Sequence, residues 1–181
     1  HWQKNNGPLV MGSVLLMDVG ARSGPYTADI TRTVPVSGQW TERQKEIYAV
    51  VLAAQKAGME AVKPGATIGS IDAAARAVIR EAGYEEYFPH GTSHHVGLDV
   101  HDVGPRRAFQ PGMVVTVEPG IYIAEEQLGI RIEDIVVVTE TGFEILSAMI
   151  PRDAETMEKW VSAQKKKSAE PVEKKRGVES L

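Results

Sequence analysis

Two acids give the first hint of chemistry in this 181-residue chain. Asp18 lies near the end of the apolar run Ser13-Val-Leu-Leu-Met-Asp-Val-Gly20, and Asp29 follows eleven residues later in a β-branched stretch. A carboxylate at the end of an apolar strand is expensive to bury unless a counter-charge or a cation meets it. If the two stretches form a hairpin, the acids can face each other. Each acid alone also reads as a turn cap or as a partner for Arg22 or Arg32, since Asp beside Gly is mostly turn chemistry. A second group is His90-Gly-Thr-Ser-His-His-Val-Gly-Leu-Asp-Val-His-Asp102, which holds four of the five histidines within twelve positions. Imidazole is the commonest metal ligand and the natural proton shuttle near neutral pH; a generic His-rich metal tract is the plainer alternative. Glu118 follows Met113-Val-Val-Thr-Val117, where it also reads as a surface acid. In Gly129-Ile-Arg-Ile-Glu-Asp-Ile135, strand alternation puts Arg131 and Glu133 on one face. Alone, that is a solvated Arg–Glu pair of little energetic weight.

The combination points further than its members. One imidazole, four carboxylates and no thiol form a hard-to-borderline ligand set. It suits Mn²⁺, Co²⁺, Fe²⁺ or Zn²⁺ with bridging carboxylates better than a structural zinc site. Four carboxylates around one point repel, and two divalent cations balance them. Water between two such cations has a lowered pKa and becomes a nucleophile at neutral pH.

The elements that must position these residues follow from local signals. Ser13–Gly20 reads as a buried strand and Thr27–Val36 as its hairpin partner across the Ser23-Gly24-Pro25 turn. Thr41 and Gln44 fit a capping box that opens a helix, with Ile47, Val50, Val51 and Ala54 as its apolar stripe. That helix is expected to run to about Lys56, with Gly58 as its stop. After the Lys63-Pro-Gly65 loop, Thr67 or Ser70 caps a second helix ending near Ala82, before Gly83. Tyr84–Phe109 is irregular and reads as a functional loop region or short strands. Met113–Glu118 and Gly129–Thr139 read as strands, with Phe143–Leu146 pairing across Glu140-Thr-Gly142. Pro151–Trp160 predicts a short helix. Gln164–Leu181 is polar, Lys- and Glu-rich and without periodicity, and is expected to be disordered. Its Lys165-Lys-Lys167 and Lys174-Lys-Arg176 runs read as a solvated tail rather than a basic patch, because acids are interspersed. Two strands, two helices and several more strands give an α+β class rather than strict βαβ alternation.

Bulk properties bound the function. The net charge of −4 argues against a nucleic-acid partner held by phosphate neutralisation. With no cysteine there are no disulfides or thiolate sites, and the redox compartment stays open. No apolar run approaches the roughly 20 residues of a membrane span, and no signal-peptide pattern is visible. The first residue is His rather than Met, so the visible start is not a native one. A cytoplasmic location, without a membrane partner, is the expectation.

Read together, the motifs closely resemble the pita-bread metallopeptidases, the family of aminopeptidase P, prolidase and methionine aminopeptidase. The stretches that carry the resemblance are Leu16-Met-Asp18-Val-Gly20, Asp29-Ile-Thr-Arg-Thr33, His90-Gly-Thr-Ser-His94, Gly97-Leu-Asp-Val-His-Asp102, Glu118-Pro-Gly-Ile-Tyr122 and Gly129-Ile-Arg-Ile-Glu133. They occur in the family's order and span residues 1 to about 150. The resemblance implies a pita-bread fold, incomplete at its N-terminal side. It makes residues 1–160 the C-terminal part of the catalytic domain, and 161–181 a polar tail. It implies that Asp18, Asp29, His94, Glu118 and Glu133 bind two divalent metal ions, Mn²⁺ first, with Asp29 and Glu133 bridging. Glu118 then also matches a general acid/base, and His101 a histidine that contacts substrate and stabilises the tetrahedral intermediate. His90 matches a residue lining the substrate pocket, and His1 a histidine near the scissile bond. Arg131 and Tyr122 match residues that orient the bridging ligands. Within the family the His-Gly-Thr-Ser-His and Gly-Leu-Asp-Val-His-Asp runs look like aminopeptidase P. The implied substrate is a peptide with proline at its second position. Prolidase, and a pita-bread module that binds without catalysis, are the alternatives. A complete domain of this kind has two helices and a strand before His1, and usually a separate N-terminal domain. A sheet face left uncovered favours association, and a homo-oligomer is expected for the full-length protein.

Overall fold

The computed structural model describes residues 5–104 and 107–169, without the side chains of 164–169. The first apolar run forms β1 (Val14–Val19), and the β-branched stretch forms β4 (Ile30–Pro35). They pair antiparallel, with Asp18 opposite Thr31. Between them a miniature hairpin, β2 (Arg22–Ser23) and β3 (Tyr26–Thr27), turns at Gly24, whose φ of +56° suits glycine. Against expectation β1 is not buried: Val14–Met17 are half-buried, and Asp18 and Val19 are exposed. Among the described residues it pairs with β4 alone, so its other edge has no strand partner.

Helix α1 (Glu42–Glu60) starts as expected, with both arms of the Thr41–Gln44 capping box formed. It runs past Gly58, which is buried in the helix and not its stop. A Cβ at Gly58 would stand 2.9 Å from Val117 Cγ1 and 3.3 Å from Ile71 Cγ2. Glycine here permits a close approach to a neighbouring strand and helix, which overrides its usual role as a terminator. Helix α2 (Ile68–Glu81) is capped by Thr67 with Ser70 as the reciprocal partner, and Gly83 just beyond it has φ +82°.

Among the described residues of 84–109 there is only a 3₁₀ turn (Glu85–Tyr87) and a bridge between His95 and Val115. The histidine stretch nevertheless runs antiparallel beside β5 (Val114–Val117), through amide bonds from Val96 to Val114 O, Thr116 to His94 O and Glu118 to Thr92 O. The expected Gly129–Thr139 strand is two strands. β7 (Leu128–Arg131) pairs with β6 (Gly120–Ile123), while β8 (Asp134–Val138) pairs with β5 and with β9 (Phe143–Ile145). The break falls at Ile132-Glu133, where the Glu133 amide turns to the Thr31 carbonyl of β4. Helix α3 (Ala154–Ala169) runs nine residues past the expected end at Trp160, into the stretch expected to be disordered. The basic run Lys174–Arg176 lies outside the described residues.

Two apolar clusters hold these pieces. One joins Trp40, Ile47, Tyr48 and Val51 to Ile121, Ile130 and Met157; the other joins Met59, Val62 and Ile71 to Val115, Val117 and Val136. Helices α1 and α2 therefore back the strands on one side. No helix among the described residues is long and apolar enough to cross a membrane.

Candidate metal centre

Five separate pieces of backbone converge on one point. β1 delivers Asp18, the entry to β4 delivers Asp29, and the histidine stretch delivers His94. Glu118 follows β5, and Glu133 sits at the β7–β8 break. Ligand-competent atoms of Asp18, Asp29 and Glu133 lie within 4.8 Å of one another, as do those of His94, Glu118 and Glu133, and those of Asp29, His94 and His101. Asp29, His94 and Glu133 each belong to two of these groups, so the three sets overlap in one cluster.

The electrostatics are unbalanced as they stand. Glu133 is 1% exposed; the Thr31 hydroxyl donates to its Oε2 at 2.6 Å, while its Oε1 is buried without a hydrogen-bond partner among the described residues. Burial, and then the charge of Glu118, push its pKa up to about 8. Asp18 is raised by burial and by the facing Asp29 carboxylate. Asp29 is lowered: against the effect of burial, hydrogen bonds from His94 and Asp18 favour its ionised form. The two carboxyls are thus pushed in opposite directions. Burial works against a charge on His94, yet its Nε2 lies 3.5 Å from Asp29 and 3.2 Å from Glu118, and those contacts raise its pKa to about 10. Its Nδ1 donates to the His95 carbonyl at 3.0 Å, which leaves Nε2 as the nitrogen turned toward the acids. Divalent charge would serve these same acids. The orphaned Glu133 oxygen and the all-oxygen-plus-imidazole donor set fit a pair of such cations.

The surrounding side chains hold the ligands by their far edges. Arg131 donates from Nη2 to Asp18 at 2.6 Å, from Nε to the Thr31 hydroxyl at 3.0 Å, and from Nη1 to the Tyr122 hydroxyl at 2.9 Å. The solvated Arg131–Glu133 pair is therefore absent, as are the Asp pairs with Arg22 and Arg32. Arg22 donates to the Leu98 carbonyl and Arg32 pairs with Asp134. Tyr122 also meets His90 Nε2 at 2.8 Å, and His90 Nδ1 donates to the Gly91 carbonyl. His101 packs edge-on against His94, ring centroids 4.2 Å apart. Its loop closes on itself: Asp102 accepts from the Leu98 and Val103 amides at 2.9 and 2.8 Å, and Gly97 leaves the room for that carboxylate. Asp18, His90, His94, His101, Glu118, Tyr122 and Arg131 line one cavity of about 740 Å³, with Leu16 and Ser93. His1 lies outside the described residues. Two residues escaped the sequence reading. Thr31 bridges Glu133 and Arg131, and Thr116 donates to Glu118 at 3.2 Å while accepting from the His94 amide at 3.1 Å. Each stands two positions from a ligand, on the same strand face, and that period of two was the available signal.

The model of the metallopeptidase family M24 matches residues 1–140. The chain belongs to metallopeptidase family M24. It is 38% identical over 200 residues to Xaa-Pro aminopeptidase 1 of Streptomyces coelicolor, a match that covers 91% of this chain and 41% of the relative. To the Xaa-Pro dipeptidase of Pyrococcus furiosus it is 46% identical over 148 residues, covering 78% and 42%. Aminopeptidase P from Escherichia coli, solved with the inhibitor Pro-Leu, superimposes with a TM-score of 0.85 at 36% identity, covering 92% of this chain and 45% of that one. The α+β architecture is that of the aminopeptidase P fold, incomplete relative to its members. The chain spans less than half the length of these M24 proteins.

Proposed function

We propose that residues 1–160 are the ligand-bearing C-terminal part of a dinuclear metallopeptidase domain, followed by the tail 161–181. In this reading Asp18, Asp29, His94, Glu118 and Glu133 hold two divalent cations, Mn²⁺ first, with Co²⁺, Fe²⁺ or Zn²⁺ as alternatives. The observation that carries it is Glu133, a buried carboxylate among like charges whose Oε1 has no partner among the described residues. The reaction is removal of the N-terminal residue from peptides with proline second, a reading supported by the kinship with Xaa-Pro aminopeptidases. When bound, such cations supply Lewis acidity and bring the pKa of water near neutrality. Glu118 carries the proton from the nucleophile to the leaving imino nitrogen, with the Thr116 hydroxyl fixing its Oε1. His101 stabilises the oxyanion. Asp18, at the exposed rim beside Arg131, receives the substrate's amino terminus. His90 lines the pocket through its bond to Tyr122, and His1 is assigned a place near the scissile bond. For the whole protein we assign a homo-oligomer and a cytoplasmic location.

Metal analysis of the purified chain beside Asp29→Ala tests the site: metal in the first and little in the second is expected, and equal content would sink the assignment. The second reading, a dipeptidase, is favoured by the 46% identity to the Pyrococcus furiosus enzyme. Longer Xaa-Pro peptides left intact while Xaa-Pro dipeptides are cut would select it.

A further inference from the structure

Beneath the ligands lies a second charged group that the proposed reaction does not use. Arg32 follows Thr31, and Asp134 follows Glu133, so strand alternation turns both away from the ligand face. They are 4% and 0% exposed and meet at 2.7 Å. A guanidinium has five N–H donors, and Arg32 uses all five. Nε donates to Pro151 O at 2.7 Å. Nη1 donates to Thr31 O at 2.9 Å and Glu133 O at 2.5 Å, and Nη2 to Asp134 Oδ1 at 2.7 Å and Ile150 O at 3.0 Å. Asp134 also accepts from Ser147 Oγ at 2.5 Å and Gln55 Nε2 at 3.0 Å, and Gln55 reaches on to Val117 O at 3.3 Å.

We infer that Arg32 and Asp134 are positioning residues for the metal centre. The inference rests on the five-ligand reading above. A buried ion pair is no stability device in itself, since apolar residues of equal volume often serve as well. What distinguishes this one is its targets. It grips main-chain carbonyls at Thr31, two residues past Asp29, at Glu133 itself, and, through Gln55, at Val117 next to Glu118. Three ligand-bearing backbones are thereby set at fixed distances from one guanidinium plane. Asp29 and Glu133, the bridging pair of the five-ligand reading, are the residues whose separation this grip controls. Lysine keeps the charge but offers three donors from a single atom, and cannot span the same carbonyls.

The test uses the whole chain and Mn²⁺ alone, with binding followed by calorimetry and by the electron paramagnetic resonance of the coupled ion pair. Arg32→Lys is expected to weaken Mn²⁺ binding about 10–100-fold and to diminish the coupled signal. Ser147→Ala, which removes one bond to Asp134, should do the same by a smaller factor. Ile79→Val, a core change in α2, is the control: it should lower Tm and leave affinity and line shape alone. If Arg32→Lys and Ser147→Ala lower Tm but bind Mn²⁺ as the unsubstituted chain does, the pair is merely structural and the inference is overturned. Should Arg32→Lys not fold, Ser147→Ala against Ile79→Val decides in the same terms. If the unsubstituted chain itself binds no Mn²⁺, the five-ligand reading falls, and the positioning role with it.

Discussion

The two faces of the β4 and β8 backbones handle buried charge in opposite ways. On one face Glu133, held by Thr31, joins three other acids and a histidine, with one of its carboxylate oxygens lacking a donor among the described residues. On the other, at the next residue of each stretch, Arg32 and Asp134 pair with every Arg32 donor used, and Arg152 Nε stands 3.7 Å from Asp134 as a second cation. The balanced face is complete in itself. The unbalanced face sets four acids against Arg131 and His94, and in the proposed reading cations complete it. Strand alternation lets adjacent residues serve these two ends without interfering.

The largest expected break is on the balanced face. Asp134→Ala leaves Arg32 buried without a counter-ion and should destabilise the fold by about 3–5 kcal/mol, read by denaturant unfolding with and without Mn²⁺. On the unbalanced face the corresponding change acts through the cation. Mn²⁺ at 100 times its dissociation constant should stabilise the unsubstituted chain by about 2.7 kcal/mol and Glu133→Ala hardly at all. An equal rise in Tm for both would erase the contrast. Without metal, pH should separate the faces as well. The folded pKa values of Glu133 and His94, about 8 and about 10, lie above their ordinary values of 4.5 and 6.5. Each group therefore favours the fold fully below its ordinary value and loses that effect as pH rises through its folded value. Tm of the chelator-treated protein should fall between about pH 5 and pH 10, and Glu133→Gln should flatten the lower part of that fall. A slope unchanged in Glu133→Gln would remove Glu133 as its source. The smallest effect belongs to Thr31→Val. It removes the hydroxyl that donates to Glu133 and accepts from Arg131, at about 1 kcal/mol in chemical denaturation.

Much of this was legible in the chain because the signals are local. The capping box at Thr41, the helix cap expected at Thr67 or Ser70, the β1–β4 hairpin and the β8–β9 turn each depend on residues a few positions apart, and each formed, the second cap at Thr67. Misreadings arose where a distant partner decided. Gly58 looks like a stop until Val117 is brought against it. Gly129–Thr139 reads as one strand because nothing local announces that the Glu133 amide will leave the ladder for Thr31. Helix α3 continues through a polar stretch that periodicity alone does not mark. In the site, residue types and order exposed the four acids and the imidazole, but not who holds them. Arg131 had Glu133 two residues away and chose Asp18, Thr31 and Tyr122 instead. Arg32 and Asp134 stand beside ligands in the sequence, yet their pairing across 102 positions is visible only in three dimensions.

The Asp102 clasp has a practical consequence. Leu98 and Val103 lie in a stretch without strands, where backbone amides normally trade their protons for solvent deuterons within moments. Both are tied to one carboxylate, one or four residues away. Their exchange rates therefore report whether the loop that carries His101 is closed or open, independently of the sheet beneath it. Loss of the Asp102 carboxylate should speed labelling of these two amides while the Asp102 amide, bonded to the His95 carbonyl, keeps its own rate, which gives this protein a built-in gauge for the mouth of its cavity.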